Sequence, residues 1–411
     1  MLGRIETDGD PRLEAEVLHA RGNALRGTNL KEATALLGDA ADGWERLGDE
    51  TKHAWALCNR GMALFDLGLI ADAAHDHQEA LDIFMRIGDR AGASAAGNAL
   101  ALERPDDPRV PEWLTQSLQL AEESGDLAKE RNALITLAWF RFIRAHLGDD
   151  DATAEARRVA ERLARVSAEM GDVTFEVQAH CLLAVLDRLR GDIDAAVRHT
   201  SRARSLLQTS GDNTHQYSGA LMRAVDFMLR LAQDRNAAGC PAPAQTPSPL
   251  AVMSDVLVIE ALLLSGRYHD ARDQLQGSTL GDFASISPFF ARMLTVVRAS
   301  ALLFTGSEQP VEDQLMDARD AAQRLGAHAN AVAATALLAE VLARSGDIDG
   351  AHAHLRDVGD DPGGFAGLLL RRARAAAGDN EALRQLSELA EKMKAPGCLL
   401  PTGAYSSAST K

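Results

Sequence analysis

Closely spaced histidines are the side chains of this sequence that could most readily do chemistry. His75 and His77 flank Asp76, and His352 and His354 flank one alanine. Imidazole and carboxylate groups are common metal ligands. Side chains two residues apart on a helix, however, point about 200° apart and cannot bind the same ion. We therefore expect no metal site at either histidine pair.

The sequence contains none of the common catalytic signatures. It has no phosphate-binding loop, no GxSxG nucleophile motif, no HExxH motif and no GxGxxG fingerprint. Three consecutive carboxylates, Asp149, Asp150 and Asp151, lie at a turn and the start of a predicted helix, where the helix dipole favours negative charge. We therefore predict that the protein is not an enzyme and has no cofactor.

The four cysteines, Cys58, Cys181, Cys240 and Cys398, stand far apart in the sequence. There is no CxxC pair, so a zinc or redox motif is not expected. Cys58 and Cys181 fall within helical patterns, where a reduced thiol packs as a small hydrophobe. No apolar run approaches the roughly 18 residues of a membrane span, and the N-terminus is polar. These features predict a cytoplasmic protein without a membrane contact.

The charge balance argues against a nucleic-acid partner. The formal net charge is −16, and an acidic chain repels phosphate groups overall. Arginines cluster locally at 157–158 and at Arg371, Arg372 and Arg374. We interpret these clusters as exposed helix faces, and a local binding patch is the alternative.

The stretch 54–89 indicates which elements position these side chains. It is predicted to form two amphipathic helices joined by a tight turn at Gly68, because apolar residues in the second helix recur at helical spacing. Small residues at Gly61, Gly68, Ala73 and Ala80 are separated by seven, five and seven positions. Small side chains at these intervals allow the two helix backbones to approach closely.

A glycine–aspartate phrase recurs along the chain. Gly48, Gly88, Gly125, Gly171 and Gly211 are each followed by aspartate and lie 40, 37, 46 and 40 residues apart. Glycine suits the left-handed position that ends a helix, and aspartate caps the next helix. A second series of glycines is predicted to mark the turn within each helix pair: Gly27, Gly68, Gly148, Gly191, Gly266, Gly346 and Gly378. The proline-rich stretch 104–111 predicts a longer loop between two helices.

This pattern resembles the tetratricopeptide repeat, a helix pair that stacks into a solenoid. The resemblance covers roughly residues 12–394 and is clearest over 12–235. It implies an all-α fold, a right-handed α-solenoid of about ten helix-turn-helix pairs. We expect a disordered N-terminus at 1–11, an N-terminal array at 12–235, a Pro-rich loop or linker at 236–249, a more irregular C-terminal array at 250–394 and a disordered tail at 395–411.

The long repeats are similar to the sensor halves of bacterial regulators of the maltose-activator and LuxR type, and also to the peptide-sensing repeat proteins of Gram-positive bacteria. In these families the repeats receive an inducer, a protein or a peptide. The family's concave-face positions correspond here to Trp55, Cys58, Asn59, Met62, Phe65 and Asp66 in one helix pair, and to Gln178, Cys181, Val185 and Arg188 in another. This face is mostly apolar and favours an apolar or amphipathic ligand. The alternative is that these side chains pack against the next helix pair.

The sequence thus predicts a non-catalytic module that binds a protein or peptide in a concave groove, as a regulatory component of a bacterial signalling pathway. Neither nucleic acid nor membrane is expected as a direct partner. Two alternatives stay open. One is an enzyme or a phosphatase-like peptide sensor on a helical scaffold, and the other is a self-assembling scaffold such as a homodimer.

Overall fold

The computed structural model describes most of the chain. The described residues are 9–104, 107, 109–125, 127–146, 150–210, 216–234, 236–243, 249–279, 288–305, 311–324, 328–356, 358–359, 361 and 364–399. Within them, 85% of the residues are helical and there is no strand. The successive packed helix pairs agree with the predicted all-α solenoid.

Nineteen helices lie in these described ranges. In chain order they are α1 (Pro11–Leu25), α2 (Leu30–Arg46), α3 (Glu50–Asp66), α4 (Ile70–Ile87), α5 (Arg90–Glu103), α6 (Val110–Ser124), α7 (Leu127–His146), α8 (Asp150–Met170), α9 (Val173–Leu189), α10 (Ile193–Ser210), α11 (Gln216–Gln233), α12 (Pro249–Ser265), α13 (Tyr268–Gly277), α14 (Pro288–Phe304), α15 (Glu312–Arg324), α16 (His328–Ser345), α17 (Ile348–Arg356), α18 (Gly364–Ala376) and α19 (Asn380–Lys392). A 3₁₀ turn, Pro396–Cys398, follows. Among the described helices, none has both the length and the apolar character needed to cross a membrane.

Three of the five glycine–aspartate phrases end and begin helices as the sequence predicts, whereas Asp126, Gly211 and Asp212 lie outside the described residues. Gly48, Gly88 and Gly171 have φ values of 66°, 74° and 68°, in the left-handed region. The aspartate after each glycine accepts a hydrogen bond from the backbone N–H three residues further on. In the second series, Gly27 does not have a positive φ, and Gly148 lies outside the described residues. The remaining glycines of that series are left-handed: Gly68, Gly191, Gly266, Gly346 and Gly378.

The chain forms two compact units, Met1–Leu137 (unit 1) and Ala138–Lys411 (unit 2), and the division falls within α7. In unit 1, helices α1 to α5 each pack on the next helix along the chain. Trp44, Leu57 and Phe84 are among the buried side chains of the core. The helices approach closely at Gly92, where a Cβ would come within 2.3 Å of the Phe84 ring.

Unit 2 contains the rest of α7 and helices α8–α19. Neighbouring helices again pack along the chain, and α16 packs on α18 as well as on α17. The end of α19 lies beside the turn between α9 and α10. A Cβ at Gly191 would come within 2.8 Å of the Lys392 side chain, and residues of both elements line an open surface cleft of about 560 Å³. The array therefore brings an early helix pair of this unit next to its last helix.

The proline-rich stretch 236–249 contains no helix in its described part before Pro249, residues 236–243. Arg267 Nη1 donates to Ala237 O at 2.8 Å, and Arg230 Nη1 donates to Ala238 O at 2.6 Å. These hydrogen bonds attach residues 237 and 238 to α11 and to the residue before α13. Residues 244–248 lie outside the described part of the chain.

The two predicted disordered ends overlap ordered structure. α1 begins at Pro11 and is capped by Asp10, so the predicted lead-in at 1–11 is too long; residues 1–8 lie outside the described part. The predicted disordered tail at 395–411 is wrong for residues 395–399. Ala395 and Cys398 are 0% exposed, because the 3₁₀ turn packs against α12. Residues 400–411 also lie outside the described part.

Candidate functional site

The two histidines of each pair point in different directions, as the sequence predicts. On α4, the His75 side chain is 76% exposed and the His77 side chain is 1% exposed. His352 is exposed, whereas His354 is half-buried, with Nδ1 3.4 Å from Arg319 Nη1. Within the described residues, no group of three or more His, Cys, Asp and Glu side chains could hold a metal ion.

His77 belongs to a buried polar cluster of unit 1. Its Nδ1 lies 2.8 Å from Glu103 Oε1, and its Nε2 lies 3.1 Å from Cys58 O. Burial alone would lower the pKa of His77. The hydrogen bonds to Cys58 O and Glu103, with the charge of Glu103, outweigh burial and raise the pKa to about 10. Cys58, His77 and Glu103 lie on α3, α4 and α5. The His77 ring, which stays protonated at neutral pH, therefore links these three helices.

The predicted groove residues of α3 divide between the surface and the core. Met62 is 41% exposed, whereas Cys58 is buried in the core of unit 1. Trp55, Asn59 and Phe65 are partly exposed. The Trp55 ring packs edge-on against Phe84, with 5.1 Å between centroids, and Asp66 is exposed. Since Trp55, Asn59 and Met62 are spaced by four and three residues, they share one face of α3.

The predicted groove residues of α9 are all buried. Gln178, Cys181, Val185 and Arg188 are 3%, 0%, 2% and 4% exposed. Gln178 accepts a hydrogen bond from Trp139 Nε1 at 3.2 Å. The prediction that these four side chains line an open groove is wrong, because α9 lies inside unit 2 and packs on α8, α10 and α11.

A polar site in unit 2 surrounds the chain's own residues 395–399, which we call the C-terminal segment. After α19 ends, Lys394 adopts a left-handed conformation with φ 50°. Ala395 N–H then donates back to Ala390 O at 2.7 Å, and Lys394 N–H donates to Glu391 O at 3.1 Å. This pair of bonds is the helix ending usually formed with glycine, and it turns the segment back onto the unit.

Arg372 of α18 holds the main chain of this segment. Its Nη1 donates to Cys398 O at 3.0 Å and to Leu399 O at 2.9 Å. Its Nε donates to Glu340 of α16, at 3.0 and 2.9 Å from the two carboxylate oxygens. The guanidinium carbon lies 4.2 Å from the centroid of the Phe304 ring. Because Arg372 is 2% exposed, our interpretation of this arginine as part of an exposed face is wrong.

Tyr268 and the end of α12 contact the middle of the segment. The Tyr268 hydroxyl donates to Gly397 O at 2.6 Å. A Cβ at Gly397 would come within 2.2 Å of Leu263 O and 2.4 Å of Gly266 N. Glycine is therefore required for this close approach of two backbones. We call Leu263, Gly266, Tyr268 and Arg372 together the segment site.

Cys398 is held inside the unit as an uncharged thiol. Burial raises the pKa of this thiol to about 12, although the charges of Arg372 and Arg188 act in the opposite direction. Burial also lowers the pKa of the Arg188 guanidinium to about 10. In the described part of the chain, Arg188 Nε has no hydrogen-bond partner. The surroundings keep Cys398 protonated, so this thiol is a packing group and not an activated nucleophile.

Sequence reasoning missed three residues that hold or brace the segment: Tyr268, Glu340 and Arg372. Glu340 interrupts the largely apolar run from Ala329 to Ala343 of α16. Arg372 lies among buried residues of α18. A charged side chain on an otherwise apolar helical face is the signal that could have indicated a buried ion pair.

No protein-family model matches the chain, and no curated protein does.

Proposed function

We propose that the protein is a non-catalytic module that binds a peptide or a segment of another protein, with a regulatory role in a bacterial pathway. The observation that carries the proposal is the segment site. There, Tyr268 and Arg372 hold a short 3₁₀ turn of the chain through its backbone carbonyl oxygens. These contacts support binding of peptide backbone by the array, which is the chemistry that a peptide-binding module needs.

A second surface supports binding of an external partner to unit 1. Trp55, Met62 and Phe65 combine apolar area with partial exposure on α3. Partly exposed aromatic and methionine side chains are enriched at protein interfaces. We propose that this α3 face contacts the partner. The free cysteines support a reducing, cytoplasmic location.

The test is affinity capture from native lysate with wild-type protein and two matched variants. Met62→Glu places a charge on the α3 face. Met85→Glu is the control, because Met85 is also an exposed methionine of unit 1, on α4, with 66% exposure. We expect Met62→Glu to lose the partners that wild type and Met85→Glu both retain. Equal capture by all three proteins would show that the α3 face is not the binding surface.

A further inference from the structure

The C-terminal segment has the contacts of a bound peptide ligand. We propose that the segment site in unit 2 is a peptide-binding site for a glycine-centred turn, and that residues 395–399 are its resident ligand. A separate peptide with the same turn then exchanges with the segment. This inference rests on the proposed function and specifies a ligand class for it.

The first argument concerns the atoms that are recognised. Tyr268 donates to Gly397 O, and Arg372 donates to Cys398 O and Leu399 O. Three successive carbonyl oxygens are thus held by side-chain donors from helices α13 and α18. Every peptide carries these acceptors, so a peptide in the same turn can make the same three bonds.

The second argument concerns the donors, which have further contacts that do not involve the segment. Glu340 pairs with Arg372 Nε and also accepts from Arg344, so the guanidinium is fixed from behind. The Tyr268 ring packs on Phe304 with 5.5 Å between centroids. A site whose side chains are already positioned loses less entropy when a ligand binds.

The third argument concerns selectivity for glycine. The atoms that a Cβ at position 397 would meet are Leu263 O and Gly266 N, both backbone atoms. Backbone atoms cannot swing aside as the end of a flexible side chain can. A ligand with any side chain at this position is therefore excluded, whereas glycine is accepted.

The fourth argument concerns access. Pro396 and Leu399 on either side of the buried glycine and cysteine are exposed, with Leu399 at 39%. The segment is therefore buried on one side only and faces solvent on the other. Release of the segment would therefore open the site to a competing peptide from the solvent side.

The experiment uses the full chain and follows the reactivity of Cys398, which is buried while the segment is bound. The protein is labelled with a maleimide, and mass spectrometry of the digested product measures modification at each cysteine. The added probe is a capped synthetic peptide with the sequence of residues 394–399 and serine in place of cysteine. The matched control peptide has valine in place of glycine. Cys240 is exposed and gives an internal reference for reagent activity.

We expect the glycine peptide to raise the labelling rate of Cys398 by about tenfold. This factor corresponds to a change of about 1.4 kcal/mol in the free energy of segment release. The valine peptide should leave the rate unchanged. An unchanged rate with the glycine peptide would overturn the proposal, since the segment would then be a permanent part of the fold. Equal acceleration by both peptides would also overturn it, because the site would not select glycine.

These outcomes are separate from those of the capture experiment. If Met62→Glu loses its partners while the peptide leaves Cys398 unreactive, the segment exchange is wrong and partner binding by unit 1 stands. If the glycine peptide releases Cys398 while Met62→Glu retains its partners, the segment site is supported and the α3 surface is wrong.

Discussion

At the scale of single residues, the buried pair His77 and Glu103 links the stability of unit 1 to pH. The pKa of His77 is raised from 6.5 to about 10 in the folded protein. A group whose pKa is raised on folding stabilises the fold below its unfolded pKa, and this contribution is lost as pH rises through the folded pKa. Burial also raises the pKa of Glu103, so the contribution of Glu103 to stability likewise falls as pH rises. The pair therefore favours folding less at alkaline pH.

The corresponding test compares His77→Gln with His75→Gln, an exposed histidine on the same helix. The stability difference between wild type and His77→Gln should shrink between pH 6.5 and pH 10, because the imidazolium that loses its proton over this range is present only in wild type. Urea unfolding at a series of pH values measures this difference. His75→Gln should follow wild type throughout. If the stability difference between wild type and His77→Gln does not change with pH, His77 does not hold an additional proton in the folded protein.

Trp55 poses a choice between a ligand anchor and a packing residue. Its edge-on contact with Phe84 and its partial burial against the core support a packing contribution. Trp55→Ala should therefore lower the free energy of unfolding by roughly 2–3 kcal/mol, below the value for a fully buried tryptophan. Met62→Ala, at an exposed position of the same helix, should change it by less than about 0.5 kcal/mol. Thermal unfolding of both variants distinguishes the two roles of Trp55. Equal melting temperatures for Trp55→Ala and Met62→Ala would place Trp55 outside the core.

At the scale of elements, Gly191 combines two constraints at the turn between α9 and α10. Its φ is 79°, and a Cβ there would lie within 2.8 Å of the Lys392 side chain. Gly191→Val should destabilise unit 2 by roughly 1–3 kcal/mol through backbone strain and displacement of that lysine. Gly27→Val is the control, because Gly27 has neither a positive φ nor a neighbour within 4 Å. Circular dichroism melts should separate the two variants, and coincident melts would rule out strain at Gly191.

These helices and turns are also what the sequence could predict. Gly88 ends α4 and Asp89 caps α5 within three residues of chain, so the information is local. The inner turns follow the same rule at Gly191 and Gly346, each followed by an aspartate that accepts a hydrogen bond from the next helix. The face that each helix buries was harder to predict. α9 is apolar on nearly every side, so its periodicity does not distinguish a groove from a core.

At the scale of the whole chain, contacts between distant residues decide the candidate site. Tyr268 and Gly397 are 129 positions apart, and Glu340 and Arg372 are 32 positions apart. Residues 395–411 read as polar and small, which is typical of a disordered tail. Only the closure of unit 2 around residues 395–399 gives those residues partners, and no local pattern encodes that closure.

Two truncations test whether the C-terminal segment completes unit 2. A chain that ends at residue 399 keeps the segment, whereas a chain that ends at residue 394 leaves the donors of Tyr268 and Arg372 without their carbonyl acceptors. Ending at 394 should cost roughly 2–4 kcal/mol, because buried donors lose their partners and the space of Cys398 is emptied. Ending at 399 should cost little. If both truncated chains have the melting temperature of wild type, residues 395–399 are part of the disordered tail that the sequence predicted.

The shorter chain also permits a test by addition. A ligand that binds only the folded state raises the melting temperature as its concentration increases. The peptide with the sequence of residues 394–399 should therefore restore part of the stability lost by the chain that ends at 394, because Arg372 and Tyr268 regain their acceptors. The same peptide with valine for glycine should restore none, since its side chain would meet Leu263 O and Gly266 N. Equal recovery with both peptides would show that binding does not use the turn at Gly397.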